Sequence, residues 1–247
     1  MSSRGSSLLL RGAALAVLVA LSACGDETEA PATPDAGPGT DAGTPDSGTD
    51  AGSRPADPYA DAVVSFAPGE GAGFGQDLFP GVVLGPPTGA GPDNGSLDVL
   101  SLGRGGSITL RFDDVGLVDG PGVDLLVFEN AFALPGGATY TETGRVSVSE
   151  DGVTFHDFAC ASTDAAGGYP GCAGVRTVQA NPANGVSATD PAVAGGDSFD
   201  LATVGLTRAR YVRITDSGNN RYGDTAGGFD LDAVAVVNGE SLQRPSP

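Results

Sequence analysis

With 247 residues, a formal net charge of −19 and Arg as its only strongly basic residue, this chain repels nucleic acid and anionic membrane surfaces, which excludes both as charge-driven partners. Forty Gly, no Trp and an apolar fraction of 40% describe a turn-rich protein that leans to β structure, since a helical one would carry more Leu, Glu and Lys.

Residues 1–23 read as an export signal. Arg4 and Arg11 are its positive start, and Gly12 to Leu21 its apolar run. That run is too short for a bilayer span, which takes about 20 residues. It ends in Leu21-Ser22-Ala23-Cys24, which resembles a bacterial lipobox. The resemblance implies cleavage before Cys24 and lipid on its thiol and amine, and two or more chains hold a protein stably on a membrane. An ordinary secretory signal is the alternative. Residues 24–57 follow as a linker in which Asp-[Ala/Ser]-Gly recurs at Asp35, Asp41, Asp46 and Asp50. Nothing larger than Ala is available to bury between 26 and 57, so disorder is expected, and such a tether spans roughly 30 Å.

From 58 to 240 the pattern changes to short apolar alternations separated by Gly, Asp, Asn and Pro. Strands are expected at Val63–Phe66, Val82–Leu84 and Leu97–Leu102, then at Ser107–Phe112 with Ile108, Leu110 and Phe112 inward. Val123–Glu129 is a more continuous apolar run, as in a central strand buried on both faces. Arg145–Ser149 and Val153–Phe158 flank Glu150-Asp151-Gly152, a hairpin connection in which Gly takes the left-handed position. Val175–Val178 and Phe199–Val204 complete the middle. Without a sustained helical period, these elements read as one antiparallel β-sandwich or jelly roll, with 241–247 as a tail. Cys160 and Cys172 lie in this exported head with no second Cys pair or nearby His to complete a zinc site, so a disulfide is expected. Closing a loop of that size contributes about 3 kcal/mol in the chain-entropy picture.

Ala209–Val237 carries the densest chemistry. Val212 and Ile214 face one way and Tyr211 and Arg213 the other. A loop rich in Asp, Asn and Gly follows, and Asp230 and Asp232 lead into Val234–Val237. In an extended strand Asp230 and Asp232 share a face, and paired carboxylates repel unless a cation or hydrogen bonds intervene. With Glu129, Asn130 and Asp216, and Asn219 and Asn220 close by, they supply the hard oxygens that calcium takes. Turn chemistry without any metal explains the same residue types. Asp197, and Asp113 with Asp114 and Asp119, read as turn residues. Tyr211, Arg213, Arg221 and Tyr222 are the candidate ligand contacts, because aromatic faces stack on sugars and Arg donates in a fixed geometry. Sheet covering by their rings and stems is the alternative.

Several motifs come in a familiar order: Val83-Leu84-Gly85-Pro86-Pro87, SLGRGGSITL at 101–110, DLLVFE at 124–129, RVSVSEDG at 145–152, ARYVRITD at 209–216 and GFDLDAV at 228–234. The series resembles a group of exported bacterial β-sandwich domains and, more distantly, the galactose-binding-like jelly rolls of the discoidin or coagulation-factor type C family. That resemblance spans about residues 60–238. It implies a carbohydrate- or surface-binding module with a structural calcium, and Phe and Tyr are the only aromatic platforms for it here.

Catalytic signatures are weak. His156, the one histidine, neighbours Asp157 in a strand, where adjacent side chains face opposite sides. No G-x-S-x-G elbow occurs, and neither Gly71–Gly75 nor Gly103–Gly106 leads into a helix as a phosphate loop would. The sequence therefore points to a membrane-tethered envelope lipoprotein whose head is a non-catalytic module binding a glycan or other surface ligand. The alternatives are a structural or adhesive protein with a protein partner and, behind it, a weak hydrolase.

Overall fold

A computed structural model describes residues 56–219 and 227–242. The expected signal and lipobox with Cys24, nearly all of the linker, Asn220, Arg221, Tyr222 and residues 243–247 lie outside them. Among the described residues no helix is long and apolar enough to cross a membrane.

The strands are β1 (Ala62–Ala67), β2 (Leu100–Ser101), β3 (Ser107–Arg111), β4 (Val115–Val118) and β5 (Leu125–Phe128). Next come β6 (Phe132–Ala133), β7 (Thr139–Tyr140), β8 (Gly144–Ser149), β9 (His156–Asp157) and β10 (Asp197–Phe199). The chain closes with β11 (Arg208–Ala209), β12 (Tyr211–Asp216), β13 (Asp230–Leu231), β14 (Ala233–Val236) and β15 (Gly239–Ser241). Every pairing among these strands is antiparallel. One layer is a five-stranded sheet in the order β1-β3-β12-β8-β9. Facing it are the smaller sheets β10-β5-β14, β11-β4-β15 and β13-β2. The protein is thus the all-β antiparallel sandwich that its alternating pattern predicts.

Alternation builds the core directly. Leu110, Val212 and Val148 stand opposite one another across three strands, and Ile108, Ile214 and Val146 form the next row. All six are fully buried against Leu125, Val127, Val234 and Val236 of the other layer. Each such side chain stabilises by roughly 1.5–3 kcal/mol on burial, and a one-residue slip of β12 would turn its whole set outward. The expectation of a doubly buried central strand also holds. β5 presents Leu125 and Val127 to this core and Leu126 and Phe128 to a second one, roofed by Val178, Ala180, Ala188 and Ala194.

Several expected strands are shorter or absent, each for a local reason. The Asp151 carboxylate accepts the N–H groups of Val153 and Thr154 (both 2.8 Å), so the hairpin turn extends and the return strand is only β9. Gly152 does take the left-handed position, with φ 76°. Gly81–Val83 is a 3₁₀ turn, and so is Leu201–Val204, where the Asp200 side chain caps Ala202 N–H. Leu97 is 80% exposed, which leaves only β2 of the expected Leu97–Leu102 strand. Val175–Val178 contributes a single bridge, Val178 to Gly195. The two strands of Ala209–Val237 do not pair with each other. β12 sits in the five-stranded layer and β14 in the facing one, beside β5. Cys160 and Cys172 are joined in a disulfide.

Candidate functional site

The strand ends of the sandwich gather acids at one place. Glu129 and Asn130 directly follow β5, Asp216 ends β12, Glu142 lies two residues before β8, and Asp230 opens β13 opposite Ser101 of β2. Glu129 is only 2% exposed and Glu142 equally so. Three successive backbone N–H groups are shared among three of these carboxylates. Gly228 donates to Glu142 Oε1 (3.2 Å), Phe229 to Asp216 Oδ2 (2.9 Å) and Asp230 to Glu129 Oε1 (3.4 Å). The Gly227-Gly228 pair makes this possible. Gly228 has φ 97°, and a Cβ on it would lie 2.8 Å from the carbonyl carbon of Gly103.

Each carboxylate has its own state. Asp216 is saturated, for its Oδ1 also accepts Gly105 and Gly218 N–H (both 2.8 Å). It organises the loop backbone. Burial pushes Glu129 well above the usual carboxylate range, and the charges of Asp230 and Glu142 push further the same way. Burial raises Glu142 to about 7, helped by Asp230 and opposed by the Gly228 N–H and the Tyr140 hydroxyl. Burial raises Asp230 to about 6, partly offset by the neighbouring Ser101 and Asn130 side chains. The Ser101 hydroxyl lies near Asp230 outside hydrogen-bond geometry. Glu129 Oε2, Asn130 Oδ1, Asp230 Oδ1 and Ser101 Oγ are all buried without a hydrogen-bond partner.

Asp232 does not join them. The chain changes partners there, from β2 on β13 to β5 on β14, and the simple i, i+2 relation with Asp230 is lost. Its two oxygens accept the Thr88 N–H (2.9 and 3.1 Å), while Thr88 Oγ1 donates to Asp98 (2.8 Å). Burial and the Asp98 charge raise Asp232 to about 7. Nor do the candidate ligand contacts converge here. The Arg213 guanidinium lies 3.8 Å from the centre of the Phe155 ring, and the Tyr211 ring packs on the Gly152 turn, so both cover the outer face of the sheet. Ser101 and Glu142 join the site without a sequence signal. Glu142 sits in Tyr-Thr-Glu-Thr, where no spacing marks it, and a lone Ser in a strand is unremarked.

A second acidic group is tighter. Asp119, Asp124 and Asp200 bring one oxygen each within 4.8 Å of one another. Protein donors occupy it. Asp124 accepts Gly120 N–H (2.9 Å), Leu201 N–H (2.8 Å) and the Asn238 amide (2.8 Å), and Asp200 accepts Ala202 N–H (2.9 Å).

The edge strand β1 borders a cleft of about 570 Å³, walled by Asp61–Phe66 on one side and Phe79, Pro80 and Leu84 on the other. The Phe66 and Phe79 rings are 5.2 Å apart, and Val64 (51% exposed) and Leu78 (56%) stay open to solvent nearby. The sequence pattern marks this strand but not its role as a cleft wall, because Phe79 lies beyond it in a loop. No protein-family model matches the chain, and no curated protein matches it.

Proposed function

We propose that the protein is an exported, lipid-anchored envelope protein whose sandwich head is a non-catalytic binding module for a carbohydrate or similar surface ligand. The observation that carries the reading is the cleft along β1. Its volume falls within the roughly 300–1,000 Å³ typical of small-ligand sites. Its wall carries the Phe66 and Phe79 rings among apolar neighbours, aromatic surface on which a sugar ring can stack. The cleft wall contains none of Glu129, Glu142 and Asp230, so those raised acids do not face this ligand space as an acid–base pair would. The disulfide and the lipobox-like Leu21-Ser22-Ala23-Cys24 agree with an oxidising, exported setting.

A glycan array probed with the full-length protein tests this. Retention of a glycan class, weakened by Phe79→Ala with the fold intact, is the expected result. No retention, or retention indifferent to Phe79→Ala, removes the cleft from the argument. A second reading, a protein partner, draws on the half-exposed Val64 and Leu78 beside this edge. A partner strand adding to β1 would be its form. The irregularity between Val63 and Ser65 works against it, because bulges blunt sheet edges. Radiolabelled palmitate on the wild type and not on Cys24→Ala checks the anchor.

A further inference from the structure

We propose that the glycan bound along β1 is a cationic one, a hexosamine polymer with free amino groups, and that Asp98 and Thr88 hold one of its ammonium groups in a pocket beside the cleft. This rests on the reading of the cleft as a glycan site and adds the charge of its ligand. The first observation is what lies next to the Phe66 and Phe79 wall. A second hollow, of about 400 Å³, shares Leu84 with the cleft and is lined by Leu78, Val82, Thr88 and Asp98 among others. The turn from Leu78 to Leu84 serves both, giving Phe79 and Pro80 to the cleft and Leu78, Gly81 and Val82 to the pocket. A ligand of several sugar rings is long enough to occupy the two together.

The second observation is charge. Cleft and pocket are built wholly from residues 61–98, and from Pro55 to Gly103 the chain has no Lys, Arg or His. The charged residues there are Asp57, Asp61, Glu70, Asp77, Asp93 and Asp98, in a chain whose formal net charge is −19. An anionic ligand would meet repulsion and no cation in either lining, whereas a protonated amine is drawn in by the field of the whole surface.

Asp98 turns that attraction into a contact. Its Oδ2 accepts the Thr88 hydroxyl (2.8 Å). Among the described residues no guanidinium pairs with it, and its Oδ1 takes no hydrogen bond without being buried. Asp232 stands behind Thr88, accepting its N–H at 2.9 Å, and adds a second carboxylate without a base. Thr88 Oγ1 donates to Asp98 but keeps lone pairs that accept, and an ammonium group carries three donors and no acceptor, so it matches this pair. A metal ion does not, because calcium takes about six to eight oxygens and the lining offers one carboxylate and one hydroxyl amid Leu78, Val82, Leu84 and Pro86. Those side chains suit the C–H face of a sugar ring. An N-acetylated amine keeps an N–H but loses the charge, so the pocket separates the two forms of one polymer.

Calorimetric titration of a glucosamine hexamer into the full-length protein, beside the N-acetylglucosamine hexamer at the same slightly acidic pH, tests the inference. The amine form is expected to bind about tenfold more tightly, a preference that shrinks with added NaCl. Asp98→Asn keeps the side chain's shape and brings the two hexamers to within about twofold of each other. Should that variant fail to fold, Asp98→Ser carries the same expectation. Asp93→Asn, an exposed acid in neither lining, leaves the preference intact, and Phe79→Ala weakens both hexamers alike because it acts on the stacking wall. Equal affinity for the two hexamers, or an amine preference that survives Asp98→Asn, overturns the inference while the cleft reading stands so long as Phe79→Ala still weakens binding. Binding of neither hexamer also overturns it, and the glycan array then decides the cleft by itself. A lysine hexamer that matches the glucosamine hexamer and depends on Asp98 gives the pocket to a basic polypeptide and overturns the glycan assignment.

Discussion

Two acidic groups a short way apart in sequence show how differently one domain can use carboxylates. Asp124 is as deeply buried as Glu129, yet its oxygens meet two backbone N–H groups and an Asn amide. Glu129 receives one long bond on Oε1 and none on Oε2. The compact group, with oxygens within 4.8 Å, is therefore a lock between turns, while at the looser one a buried oxygen of Glu129 stands without a donor. Proximity of acids says less about metal binding than the donors that already face them.

The largest test of that contrast is Asp124→Ala. It strands buried donors at Gly120, Leu201 and Asn238 together, and a loss of roughly 3–5 kcal/mol is expected in urea unfolding, the same with calcium or EGTA. A calcium-dependent loss would break the distinction between the two groups. Asp197 sits between the extremes. Gly174 and Val175 donate to its Oδ2 at 2.7 and 3.0 Å, and Arg176 helps, yet burial dominates and raises it from 3.8 to about 6. The native state thus holds this proton more tightly than the unfolded chain. Its contribution is full below about pH 3.8 and is lost as pH rises through about 6. In EGTA, wild-type stability should climb by roughly 2–3 kcal/mol more than that of Asp197→Asn between pH 7 and pH 4. Parallel curves would refute the assignment. The smallest effect belongs to Arg213→Ala, which removes only the stacking on Phe155. It should cost about 0.5–1 kcal/mol and leave ligand binding unchanged.

Much of the fold is legible in the sequence because burial and period 2 coincide. Ile108, Leu110, Val146, Val148, Val212 and Ile214 alternate with polar or small neighbours, and all six point inward. The run Leu125-Leu126-Val127-Phe128 has no polar residue to mark a solvent face, and it has none. Where pattern and structure part, a side chain has captured the backbone. Asp151 shortens the hairpin, and Asp200 turns the expected Phe199–Val204 strand into a 3₁₀ helix. Apolar content at Val82–Leu84 reports burial rather than extension, since Val83 is buried within a 3₁₀ turn. At the acidic site, Glu129, Asn130 and Asp230 are visible in the sequence as oxygen-rich strand ends. Asp216 and Asp232 look the same there, because spacing cannot tell which carboxylates the backbone has already claimed. Glu142 and Ser101 arrive through contacts between distant strands, which no local pattern encodes.

The double covering of β5 has a consequence for how the protein opens. This strand is bonded to β10 on one side and β14 on the other, with a core against each face. Amides so enclosed exchange with solvent only when the whole domain unfolds, so Leu126 and Val127 should be the last to take up deuterium and report the global free energy. The turn at 150–155, tied by one exposed carboxylate, should exchange early. Deuterium uptake would therefore run from the hairpin tip inward, ending at the strand whose own terminus carries Glu129.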